Sequence, residues 1–150
     1  MTKTIDTLQC SLERLQDFSS EEFADLSNLM CQLSARCQLT TAHLQAVIDD
    51  PNAHLYVVRQ GVRIIACATL CVFCSPTGRK ASIEDVVVHS DFRGKHLGRW
   101  IVQHLINQAQ QWAPIDLHLT SRPARIAANE LYRSLGFRQK ETNCYTLSLV

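Results

Sequence analysis

The run Ile83-Glu84-Asp85-Val86-Val87-Val88-His89-Ser90-Asp91-Phe92-Arg93-Gly94-Lys95-His96-Leu97-Gly98-Arg99 decides the reading of this chain. It begins as a β-rich stretch, passes through a basic turn containing glycine, and enters an amphipathic pattern. Strand, turn and helix therefore follow one another within it. Such a turn directs successive backbone N–H groups at one point, and the helix behind it adds the positive end of a dipole. Together they favour phosphate or pyrophosphate. Arg93, Lys95 and Arg99 surround the turn with mobile positive charge, and Glu84 and Asp85 place two carboxylates on the strand before it. A regular strand sends those two side chains to opposite faces, and a bulge changes that assignment.

Downstream, Leu97, Ile101, Leu105, Ala109 and Trp112 recur in near four-residue steps, and Pro114 ends that helix. Residues 115–120 alternate as a strand. Ser121 and Pro123 open a further helix with Ala124, Ala127, Ala128, Leu131 and Leu135 facing inward, and Gly136 stops it. Residues 137–149 read as a last strand. Upstream, an opening strand falls within residues 7–15. Ser19 and Glu22 form a capping box ahead of Phe23, Leu26, Leu29, Met30 and Leu33. A short helix follows Thr41 and ends at Asp50-Pro51. Residues 54–59 and 62–74 read as a hairpin joined at Gln60-Gly61, residues 75–80 as a loop, and residues 81–89 as the next strand.

Hairpins followed by a βαβ unit predict an α/β fold of the α+β kind. The expected form is a single domain over residues 1–150, a mixed, mostly antiparallel twisted sheet of about six to seven strands flanked by about four helices. Ligands in such sheets favour the carboxyl ends of strands, and the turn after Val88 lies at one.

Composition narrows the function classes. A net charge of +1, with 19% charged residues, argues against bulk nucleic-acid binding. No apolar run reaches the ~20 residues of a membrane span. The start of the chain lacks an apolar signal segment, so a cytoplasmic location is expected. Seven cysteines at scattered spacing do not make a disulfide framework. Cys71 and Cys74 would point to opposite faces of a strand, and the histidines are dispersed, so no metal site is predicted.

The motifs resemble those of the GNAT superfamily of acetyl-CoA-dependent N-acetyltransferases along nearly the whole chain. Its entry-turn signature, Arg/Gln-x-x-Gly-x-Gly/Ala, corresponds here to Arg93-Gly94-Lys95-His96-Leu97-Gly98, with His96 where the first glycine is usual. Its late signature, a helix bearing a tyrosine and closing on Gly-Phe, corresponds to Asn129-Glu130-Leu131-Tyr132-Arg133-Ser134-Leu135-Gly136-Phe137. The family's asparagine seven residues before the tyrosine is replaced by Arg125, and Asn129 lies three before it. Residues 65–70 and 83–88 look like glucosamine-6-phosphate N-acetyltransferases, and the Glu-Asp pair also looks like polyamine acetyltransferases. Leu119-Thr120-Ser121-Arg122-Pro123 resembles small bacterial members.

The resemblance implies acetyl-CoA as cosubstrate, held by Val86, Val87, Val88, Arg93, Gly94, Lys95, His96, Leu97, Gly98, Arg99, Asn129 and Tyr132. It implies transfer to a primary amine of a small molecule by direct attack in a ternary complex. Glu84 would take the amine's proton and Tyr132 would protonate the leaving thiolate. A backbone N–H of residues 86–88 would hold the thioester oxygen. Pairing into a homodimer through C-terminal strands is implied in the same way. The rival expectations are a CoA-binding module without catalysis and a protein N-acetyltransferase.

Overall fold

The computed structural model describes residues 1–5 and 8–150. The chain divides into two compact units, residues 1–120 and 121–150. Among the described residues, six strands make one sheet in chain order and four α-helices accompany them. No helix among them is long and apolar enough to cross a membrane.

In the first unit, β1 (Thr2–Ile5) and β2 (Leu8–Arg14) form one antiparallel pair. β1 was not expected from the sequence, and residue 7 of the expected opening strand lies outside the described residues. β3 (Ala53–Gln60), β4 (Arg63–Ser75) and β5 (Gly78–Val88) continue the sheet antiparallel. β6 (Asp116–His118) adds a short parallel edge beside β5. The β3–β4 hairpin turns at Gly61, whose φ of +57° suits a residue without a Cβ. The loop expected over residues 75–80 is shorter than that. Both strands run on until only Pro76 and Thr77 connect them, braced by Ser75 Oγ against Thr77 Oγ1 at 3.0 Å.

Helices cover both faces of the sheet. α1 (Ser20–Leu33) starts with the expected capping box: Ser19 Oγ accepts the Glu22 N–H, and a Glu22 carboxylate oxygen accepts the Ser19 N–H at 2.7 Å. Leu26 and Leu29 of α1 and Leu44 of α2 (Thr41–Asp49) pack on Leu55, Val57, Ile64, Cys67 and Val87. The alternate residues of β3 face the other way, where α3 (Leu97–Ala109) buries Leu97, Trp100, Ile101, Val102, Leu105 and Ala109. His104 of α3 meets Tyr56 edge-on at 4.9 Å. Two covered faces explain why β3 and β4 read as near-continuous apolar runs and not as alternating ones. After α3, a 3-10 turn (Gln110–Trp112) precedes Pro114.

In the second unit, α4 (Ile126–Ser134) begins later than Ser121 and Pro123 suggested. Ala124 and Ala127, expected inside, are exposed, while Ala128, Leu131 and Leu135 are partly buried. The strand expected over residues 137–149 is not formed. Alternation there leaves Tyr145, Leu147 and Leu149 more than four-fifths exposed, at 86%, 83% and 88%. A strand exists only through a neighbour's ladder, and among the described residues none pairs with this segment.

Candidate active site

The site is organised by an irregularity in β5. Cys67 of β4 pairs with Val87, but Thr69 pairs with Glu84, so three steps of β5 match two of β4. One extra residue sits in β5, and Asp85 takes φ +53° there. This is a β-bulge, and it corrects the regular-strand expectation that sent Asp85 away from Glu84. The extra residue reverses the alternation, so Glu84 and Val87 share a face of the sheet with Thr69 and Cys67. That face is the one covered by α1 and α2.

Two thiols on this face report on the carboxylates. Burial pushes the Cys67 thiol up to about 12, and the charge of Asp85 adds to the rise. Burial also raises Cys71, with Glu84, Asp50 and Asp85 contributing in that order. Both carboxylates of the bulge therefore act on one row of β4 side chains. Glu84 and Asp85 are themselves exposed, as a group exchanging protons with a ligand must be. Asp50, which caps the end of α2, reaches this region from far away in the chain, and no local sequence pattern marks it.

Beyond β5 the chain makes the expected turn. The ladder's last bond runs from the His89 N–H to the Ile65 carbonyl at 2.9 Å. A 3-10 turn (Ser90–Phe92) follows, with the Asp91 N–H donated to His89 Nδ1 and the Phe92 N–H to the His89 carbonyl. Arg93 folds back, its Nε donating to the Val88 carbonyl at 3.0 Å. Gly94 (φ +75°) and His96 (φ +59°) then both adopt left-handed backbone before α3 starts at Leu97. His96 thus occupies, at a steric cost that glycine avoids, a conformation a Cβ disfavours. The first intrahelical bond of α3 joins the Trp100 N–H to the His96 carbonyl. The N–H groups of Gly94, Lys95, His96, Leu97 and Gly98 have no acceptor among the described residues. Left-handed residues alternating ahead of a helix start gather such donors into a concave anion site.

The second unit holds the remaining expected residues. Tyr132 lies on α4 with its ring edge-on to Phe137 at 6.0 Å. Burial holds its phenol above the ordinary range, and the charge of Arg125 works against that rise. Arg125 is the N-terminal flanking residue of α4, where the resembled family has its asparagine. The Asn129 amide nitrogen donates to the Arg122 carbonyl at 3.0 Å and the Pro123 carbonyl at 3.4 Å, bracing the entry to α4. Glu84, residues 86–88 and the turn from Arg93 to Arg99 thus form one continuous stretch of the first unit, while Tyr132 and Asn129 belong to the second.

Residues 13–137 match the acetyltransferase (GNAT) family. A 60-residue stretch is 35% identical to the [Ribosomal protein bS18]-alanine N-acetyltransferase of Salmonella typhimurium, covering 40% of this chain and 40% of that protein. The match therefore spans less than half the length of that curated relative. Among solved structures, a protein from Agrobacterium tumefaciens str. C58 classed as an acetyltransferase superposes with a TM-score of 0.80 at 26% identity, covering 92% of this chain and 99% of that one. The glucosamine-6-phosphate N-acetyltransferase of Arabidopsis thaliana shares the fold, with a TM-score of 0.74 at 20% identity over 92% of this chain and 97% of that one.

Proposed function

The chain belongs to the acetyltransferase (GNAT) family, and from that premise we propose that it transfers an acetyl group from acetyl-CoA to a primary amine of a small molecule. The observation that carries this reading is the row of five N–H groups, Gly94 to Gly98, without an acceptor among the described residues, one short 3-10 turn beyond a bulged strand that exposes Glu84. The N–H row suits a pyrophosphate, and Arg93, Lys95 and Arg99 add charge around it.

Each residue has a role in the reaction. Glu84 takes a proton from the acceptor ammonium, directly or through water, so that the nitrogen lone pair is free to attack the thioester carbon. The bulge at residues 85 and 86 leaves main chain outside the ladder, and an N–H there, or at residues 87–88, holds the thioester oxygen as negative charge develops on it. Tyr132 supplies the proton that the departing thiolate needs, and as a phenol it carries that proton at neutral pH. Asn129 serves the cofactor through the turn it braces ahead of α4.

A second acceptor class is a protein N-terminus, favoured by the short match to the ribosomal-protein alanine N-acetyltransferase. One assay separates these readings: free CoA released from acetyl-CoA with a panel of amines, aminosugars and alanine-starting peptides. Release with the small amines supports the proposal, and release with the peptides alone moves the acceptor to protein. Acetyl-CoA binding with no release on any acceptor leaves a CoA-binding module.

A further inference from the structure

We propose that Gln32, in the last turn of α1, is a positioning residue for the acetyl-CoA turn, an inference that rests on the reading of residues 93–99 given above. Where β5 leaves the sheet, the backbone donors can be followed one by one. His89 donates to Ile65 on β4, Asp91 and Phe92 donate to His89, and Arg93 donates to the Ser90 carbonyl. The Ser90 N–H alone among these takes an acceptor from a helix, the Gln32 side-chain oxygen at 2.9 Å. The two residues are 58 positions apart in the chain.

The carboxamide is aimed for this purpose. Gln32 Nε2 donates to Asn28 Oδ1, one helical turn earlier, at 2.6 Å, which turns the oxygen toward Ser90. α1 is itself fixed to the sheet two turns before. Asp25 accepts Arg63 Nε at 2.8 Å and the Ile64 N–H at 3.0 Å, and Leu29 is fully buried between the two polar ties. A rigid helix thus reaches over the end of β5 and holds Ser90, the second residue past it. Ser90 opens the short segment that delivers Gly94 to Gly98, so its placement sets where their N–H groups converge. Loss of the tie removes preorganisation of the anion site and leaves the reacting groups on β5 and α4 untouched.

The test uses Gln32→Met, which keeps length and volume but offers no oxygen, and Gln32→Glu, which restores an acceptor. Amide exchange at Ser90 is followed by NMR without ligand, acetyl-CoA affinity by calorimetry, and kcat and KM with one acceptor amine. Gln32→Met should speed Ser90 exchange and weaken acetyl-CoA binding about two- to tenfold, the worth of one hydrogen bond. KM for acetyl-CoA should rise by the same factor while kcat stays within about twofold. Gln32→Glu should recover the Ser90 protection and part of the affinity. Ser90→Pro deletes the donor, and the preceding His89 ψ of +138° is what a proline requires of its neighbour. Adding Gln32→Met to Ser90→Pro should then weaken acetyl-CoA no further. Unchanged acetyl-CoA affinity in Gln32→Met, with wild type binding normally, overturns the role of Gln32 and leaves the turn assignment standing. Absence of binding by wild type overturns both.

Discussion

Glu84 lies directly across the β4–β5 ladder from Thr69, while Val87, three residues on, lies across from Cys67, only two residues back. The slip places Glu84 on the α1 and α2 face and forces Asp85 to a φ of +53°. Asp tolerates that conformation and a β-branched residue does not. Asp85→Val should therefore cost about 1–3 kcal/mol of stability, and Asp85→Gly should cost little or nothing. Urea unfolding of both variants checks this, and equal midpoints for Val and Gly would mean that the bulge imposes no strain.

The two proposed proton-transfer side chains should each leave a kinetic signature. Glu84→Gln should slow turnover most at pH values where the acceptor amine is protonated, with partial recovery as pH rises. Tyr132→Phe keeps the ring packed on Phe137 but removes the proton, so it should lower kcat with little change in acetyl-CoA affinity. Losses of about 10²–10⁴-fold are typical of a general acid or base. A pH–rate profile of each variant on one acceptor is the measurement. A wild-type profile for Glu84→Gln would pass the base role to Asp85 or His89, and full turnover in Tyr132→Phe would make the tyrosine a packing residue.

Much of this arrangement was legible in the sequence, and the limits have physical causes. The capping box of Ser19 and Glu22, the face of Leu26 and Leu29, and the Gly61 hairpin all follow from local chemistry, and all are present. The turn at residues 93–98 was readable because glycine and helix patterning mark it within a few residues. The bulge at Asp85 was not, because register is set by a partner strand and not by the strand's own pattern. Gln32 and Asp50 approach the site through folding alone, and nothing near either residue signals it. The C-terminal alternation over residues 144–149 shows the converse, a strand-like pattern without a ladder to join.

The Cys67 thiol gives a pH signature of the core beneath the bulge. Its folded-state pKa of about 12 exceeds the ordinary 9.0. Its contribution is therefore complete below pH 9 and is lost as pH rises toward 12, because only the unfolded chain ionises in that window. Unfolding free energy should fall by about 1.4 kcal/mol per pH unit from this group. Cys67→Ala should show a correspondingly flatter profile between these limits than wild type. Parallel profiles would mean that the thiol is not sealed from solvent.

On the proposed reading, the backbone of the turn from Arg93 to Arg99 holds acetyl-CoA. Calorimetric titration of acetyl-CoA into wild type, Gly98→Val and Lys95→Ala measures that contact. The side chain added at position 98 blocks close approach of a pyrophosphate to the helix start, whereas the partly exposed Lys95 adds only screened charge. Wild type should bind one acetyl-CoA per chain, Gly98→Val should lose at least about tenfold in affinity, the equivalent of 1.4 kcal/mol, and Lys95→Ala should lose less. Equal affinity in wild type and a correctly folded Gly98→Val would remove acetyl-CoA from this turn.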